Sequence, residues 1–270
     1  MYIKEENFLK EIEKFADVLI IDHHQIIKDY NSEKIVFLNA QGFCATYLCY
    51  YLFSKIKNIE YFDWLVACAC IADWMYSQNE NFMKKVFEKY GQKFNGKRLD
   101  DLKKTKFWEL QYNLILGLIY YDDNLMKAFN FIGKNISDVK DLEKHAAEVQ
   151  VEIKELNEKF EEEKQEINGR IYFEYEPKKF GITSIVSNFL SLKYFNKTII
   201  LLKIDKKENS CKISARRQDR KESMNLLLSN LVKDFENGTG GGHIPAAGGS
   251  FPLKYKKDFI EKLKRLPAVD

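Results

Sequence analysis

The chain has 270 residues, 45% hydrophobic and 14% aromatic, which suffices for two domains with real cores and excludes a disordered protein. Charged residues make up 31%, yet the formal net charge is only +3, so any basic binding face has to be local. No apolar run approaches the roughly 20 residues of a membrane span. The start, Met1-Tyr2-Ile3-Lys4-Glu5-Glu6, lacks the basic and then apolar order of a signal peptide.

In chain order, residues 4–15 read as a short amphipathic helix. Ala16 to Ile21 is a continuous apolar run with β-branched residues, the pattern of a buried parallel strand, and it ends at Asp22-His23-His24. A second strand, Ile35 to Leu38, ends at Asn39. Helices are expected from Gly42 to about Ile56 and from Tyr61 to Ala72, the latter closing on Asp73, and the pattern is helical throughout from Lys106 to Ile132. Strands alternating with helices predict an α/β fold with a parallel sheet. Cys44, Cys49, Cys68 and Cys70 lie in apolar, helix-like stretches, and no second pair at zinc spacing joins Cys68 and Cys70. These four and Cys211 are expected to be reduced core residues, which points to the cytosol.

Ser137-Asp138 then looks like a helix cap. Val139, Leu142, Ala146, Val149, Ile153, Leu156 and Phe160 follow at alternating steps of three and four, a heptad seam among Glu and Lys. The spacing predicts one long helix stopping at Asn168-Gly169. It serves as a connector over residues 137–169, and a free coiled-coil dimer is the alternative. Residues 1–136 and 170–270 are then the two domains. The second is again α/β: strands at Arg170–Tyr175, Thr198–Leu202 and Lys212–Ala215, helices at Ile182–Tyr194 and Glu222–Phe235, then a glycine-rich loop and a closing segment from Phe251 to Leu266.

Three constellations carry chemistry. Asp22-His23-His24 sits at the carboxyl end of a strand, where parallel α/β folds place their ligands. A carboxylate beside imidazoles offers donors suited to manganese, zinc or magnesium. Only four histidines exist in the chain, and two are adjacent here. Asp73 ends an otherwise apolar helix, where a carboxylate is costly to bury without a partner. Gly240-Gly241-Gly242-His243 lets a backbone approach a phosphate closely, and Arg216, after Ser214-Ala215, matches a phosphate bidentately.

These elements, in this order, resemble the DHH superfamily of phosphoesterases with its associated C-terminal nucleic-acid-binding domain, a group that includes RecJ-type exonucleases and small oligoribonucleases. The resemblance covers essentially the whole chain. It implies that His23 and Asp73 are metal ligands, that Asp22 shapes the outer shell, and that His24 faces the scissile phosphate. It implies further that Arg216, His243 and the backbone of Gly240, Gly241 and Gly242 hold the phosphate chain across an interdomain cleft, with Mn2+ or Mg2+ as cofactor and two-metal hydrolysis as the chemistry. Family members also carry an earlier His-x-x-x-Asp-x-Asp block and a further Asp, and no stretch of this sequence matches either. The N-terminal domain is therefore expected to be incomplete, with a companion chain or upstream segment supplying the rest. The function implied is metal-dependent phosphodiester hydrolysis of short or single-stranded nucleic acid. The alternative is a non-catalytic nucleic-acid-binding or scaffold subunit of the same descent.

Overall fold

The computed structural model describes residues 6–24, 28–133 and 135–269. Residues 4 and 5 of the first expected helix lie outside them. Contacts divide the chain into two compact units, one of residues 1–117 and 125–144, the other of residues 118–124 and 145–270.

The first unit begins with α1 (Glu6–Glu13), followed by β1 (Val18–Asp22) and β2 (Ile35–Asn39). The two strands pair in parallel with Val18 opposite Ile35 and Asp22 opposite Asn39, so both end at the same level. Their sheet has only these two strands among the described residues. Leu19 and Val36, opposite one another, are 52% and 58% exposed, unusual for parallel strands, which are normally covered on both faces. The helices are α2 (Ala45–Phe53), α3 (Asp63–Ala72), α4 (Glu80–Lys89), α5 (Leu99–Leu102), α6 (Lys106–Tyr120) and α7 (Leu125–Phe129). Trp64, Met83, Phe87, Leu102 and Phe107 are fully buried there, with Phe87 and Phe107 stacked at 4.5 Å. The helical stretch expected from Lys106 to Ile132 is broken after Tyr120.

The heptad residues form a buried row, from Val139 at 2% exposure, just before the long helix α8 (Lys140–Glu163), to Phe160 at 0% within it. That seam is buried within the chain, so no free coiled coil is left for a dimer. The helix also stops short of Asn168-Gly169. Those two residues form the turn of a hairpin between β3 (Gln165–Ile167) and β4 (Arg170–Tyr175), with φ of +50° and +78°. Two consecutive left-handed residues are what a tight hairpin turn needs, and Asn-Gly supplies them at low steric cost.

The second unit continues with α9 (Thr183–Lys193), β5 (Thr198–Asp205), β6 (Ser210–Arg216), α10 (Met224–Val232), β7 (Thr239–Gly242), β8 (Ala246–Pro252) and α11 (Lys256–Arg265). Its six-stranded sheet has the order β3-β4-β5-β6-β8-β7. β4 and β5 are parallel and every other pair is antiparallel. The expected glycine-rich loop is thus strand β7. Gly240 belongs there because a Cβ would stand 2.9 Å from the Leu228 backbone, so only a bare backbone fits against α10. Ile200, Leu202, Leu228, Phe251 and Phe259 form the core beneath. All five cysteines are free, and Cys44, Cys68, Cys70 and Cys211 are buried. No described helix is long and apolar enough to cross a membrane.

Candidate functional site

At the carboxyl end of β1, the Asp22 carboxylate organises the two residues after it. Its Oδ1 accepts from the backbone N–H of His23 at 2.8 Å and of His24 at 3.4 Å, and from His24 Nδ1 at 2.6 Å. Burial pushes this carboxyl up. The hydrogen bond from His24 and the two backbone N–H groups outweigh it and hold Asp22 below the usual carboxylate range. With Nδ1 engaged by Asp22, the His24 ring turns its other nitrogen away from that carboxylate. The two imidazoles meet edge to face at 4.6 Å.

His23 Nδ1 lies 2.9 Å from the Phe43 carbonyl oxygen and 3.3 Å from Asp73 Oδ2. The fold therefore brings Asp73, the C-cap of α3, to the end of β1. Two ligands each about 2.1 Å from one ion, at an angle near 100°, are separated by about the same distance as this pair. Protonated, Nδ1 instead donates to the Phe43 carbonyl, so one nitrogen has two exclusive uses. Asp22, His23 and His24 each offer a ligand atom within 4.8 Å of the others, the only such group of three among the described residues. Beside them, Asn39 donates from Nδ2 to the His24 carbonyl at 2.9 Å, while its buried Oδ1 has no hydrogen-bond partner. An orphaned buried acceptor is costly, and a hydrated ion or a ligand donor would satisfy it. The donor set thus fits a hard or borderline divalent cation.

Cys44 and Cys70 lie close to this cluster. Cys44 caps α2, and a hydrogen bond from Cys70 draws its thiol below the ordinary range, against burial, with help from the backbone N–H groups of Tyr47 and Thr46. Both side chains are buried, which makes them packing residues first.

In the second unit, Arg216 at the end of β6 pairs with Ala246 of β8, and His243 closes the β7–β8 turn against that same Ala246, with N to O 2.8 Å. Arg216 and His243 therefore flank one end of β8, two strand spacings of about 4.8 Å apart. The Arg216 guanidinium is held by Asn188 Oδ1 at 3.0 Å from Nε and by the carbonyls of Ala215 and Ala247 at 2.9 and 3.1 Å from one terminal nitrogen. It makes no ion pair among the described residues, and burial lowers its affinity for its proton. His243 is exposed.

The three glycines differ in what surrounds them. Gly240 backs onto α10, and Gly242 has φ +147° with Ala246 O 2.5 Å from where a Cβ would be. At Gly241 a Cβ would meet only Asn225 Oδ1 at 3.9 Å, so there the bare backbone faces open space. Sequence reasoning missed Asn39, Asn188 and the Phe43 carbonyl. Only Asn39 carried a signal, since it ends the strand parallel to the one that ends at Asp22.

The DHHA1 domain model matches residues 172–267. A solved DHH-domain protein, a member of the s1p family of ribosomal proteins, aligns with 98% of this chain and 68% of its own length at 16% identity and a TM-score of 0.64. The manganese-bound exonuclease RecJ aligns with 98% of this chain and 74% of its own at 15% identity and a TM-score of 0.63. The chain has a DHH-family fold with a DHHA1 domain. RecJ of Thermus thermophilus, in complex with Mn2+, aligns with 99% of this chain and 44% of its own, at 14% identity and a TM-score of 0.64. No curated protein matches by sequence. Arg216, Gly240, Gly241, Gly242 and His243 all fall within the matched DHHA1 domain.

Proposed function

We propose that this chain is a metal-dependent phosphodiesterase acting on short or single-stranded nucleic acid. The observation that carries this is the 3.3 Å approach of His23 Nδ1 to Asp73 Oδ2 beside Asp22 and His24. His23 and Asp73 would hold the cation, Mn2+ or Mg2+, with Asp22 shaping its outer shell. A bound divalent ion supplies a water of lowered pKa and offsets charge on the phosphoryl oxygens. Asp22 holds the His24 ring toward the substrate side. Arg216 and His243 take phosphate oxygens, the guanidinium acting through the nitrogen that the Ala215 and Ala247 carbonyls do not occupy, and the open backbone at Gly241 admits the phosphate chain.

The second reading, a non-catalytic nucleic-acid-binding subunit, is favoured by one observation. Among the described residues no second cluster of ligands stands near the first, and two-metal hydrolysis needs two ions held close together. A companion chain supplying further ligands reconciles both readings. It suits the two-stranded parallel sheet, whose Leu19 and Val36 stand exposed.

The test is a manganese-dependent assay on a short labelled oligonucleotide, using the wild-type chain and an Asp22→Ala, His23→Ala variant. Slow turnover, absent from the variant, is the expected result. Binding without any turnover would move the assignment to the second reading. Equal turnover by both proteins would remove the site.

A further inference from the structure

Trp74 stands where a glycine is usual. α3 closes with Asp73 as its C-cap, the Trp74 N–H bonded to Ile71 O at 3.1 Å and the Met75 N–H to Cys70 O at 2.9 Å. This bond pair defines a helix end whose next residue is left-handed and is most often glycine. Trp74 has φ +59° there, a conformation with a steric cost for any residue bearing a Cβ.

Full burial is not what the chain gains for that cost. Trp74 is 45% exposed, whereas Trp64 is 0%. Its ring neighbours are Trp108 at 6.3 Å, edge to face, and Tyr76 at 6.4 Å, which leaves much of the indole open to solvent. A large aromatic side chain kept in a strained conformation and left half exposed on a helix end offers a ligand a face that the fold does not use. Its position supplies the ligand's chemistry. Trp74 follows Asp73 directly, about 3.8 Å away between Cα atoms, and Asp73 faces His23.

We propose that the Trp74 indole is the platform on which a nucleobase stacks while the phosphate of the same nucleotide lies at the Asp22–His23–Asp73 cluster. This rests on the phosphodiesterase reading above and adds to it how the substrate's end is gripped. Every base has a π face, so the platform accepts purines and pyrimidines alike and rejects a sugar phosphate that has no base.

The experiment is calorimetric titration, with Mn2+ present, of adenosine 5′-monophosphate, uridine 5′-monophosphate and ribose 5-phosphate into the wild-type chain, Trp74→Gly and Trp74→Phe. The wild type binds both nucleotides alike and about tenfold tighter than ribose 5-phosphate. Trp74→Gly loses that advantage while its affinity for ribose 5-phosphate stays, and Trp74→Phe keeps most of it. Thermal melting of Trp74→Gly is unchanged or higher, because glycine relieves the left-handed position. Equal binding of nucleotide and ribose 5-phosphate by the wild type, or unaltered nucleotide binding by Trp74→Gly, overturns the platform and leaves the phosphodiesterase reading standing. So does a marked fall in melting temperature, which makes the ring structural. Failure of every probe and of a short single-stranded oligonucleotide to bind removes both.

Discussion

Arg216 and Arg217 are neighbours in sequence and opposites in setting. Arg217 is fully buried, its Nε 2.6 Å from Asp219 Oδ1. Arg216 is held by Asn188 and two carbonyls, with no carboxylate partner among the described residues. A desolvated guanidinium fixed by neutral acceptors keeps its full charge for an anionic ligand.

Replacing Arg216 with Ala is expected to weaken binding of a short single-stranded oligonucleotide and to reduce the slope of log affinity against log salt by about 0.7, one phosphate contact on a single strand. Asn188→Ala should produce a smaller loss in the same direction, since it frees the guanidinium without removing it. A salt titration followed by fluorescence anisotropy measures both. An unchanged slope in Arg216→Ala would remove the residue from the interface.

The adjacent glycines separate folding from binding. Gly240→Ala would drive a Cβ against the Leu228 backbone at 2.9 Å, which cannot move aside as a side chain could. A loss of about 1–3 kcal/mol in denaturant unfolding is expected. Gly241→Ala should cost less than about 0.5 kcal/mol, as at an ordinary surface position, yet weaken oligonucleotide binding. The reverse order in stability would mean that β7 packs differently.

Much of this was legible in the sequence. The heptad residues, the two parallel strands and three strands of the second sheet, β4, β5 and β6, follow from apolar periodicity, which burial enforces, whereas β8 (Ala246–Pro252), with Gly248 and Gly249 at its centre, was not read as a strand. The glycine-rich segment was not legible as a strand, because glycine has low strand propensity. It becomes one by fitting under α10. Asn168-Gly169 was legible as a left-handed pair, but a helix stop and a hairpin turn use the same residues, and Gln165–Ile167 is too short to announce a strand. Of the metal cluster, Asp22, His23, His24 and Asp73 had side-chain signatures. The Phe43 carbonyl had none, since a backbone group leaves no mark in sequence. Trp74 was hidden for a different reason: nothing in its identity suggests a glycine's conformation.

The second unit has a buried charge pair whose loss should be felt throughout. Arg170, 2% exposed, gives Glu222 its Nε at 3.0 Å and a terminal nitrogen at 2.5 Å, and Thr198 donates to the same carboxylate at 2.7 Å. Removing one partner leaves a buried charge uncompensated. Glu222→Ala should therefore destabilise the protein by about 3–5 kcal/mol in urea unfolding. A change below about 1 kcal/mol would show that water reaches Arg170.

Glu161 sets an acid limit on the same unit. Burial pushes its carboxyl up, but hydrogen bonds from Lys164, Lys193 and Tyr194 bring it down to about 2, against an ordinary 4.5. A lowered folded-state value means that its stabilisation is complete above pH 4.5 and is lost as pH falls toward 2. Glu161→Gln should flatten the fall in melting temperature across that window. An identical pH profile for wild type and variant would show that these contacts contribute nothing in solution.

At the centre of the site, the end of β1 and the end of α3 are expected to hold one cation together. Titration of Mn2+ followed by the electron paramagnetic resonance signal of the free ion measures this without any substrate. The wild-type chain should bind Mn2+ at a site that Asp73→Ala weakens and that Asp22→Ala, His23→Ala abolishes, with all three proteins melting cooperatively. Manganese bound equally well by the wild type and by the folded double variant would contradict it.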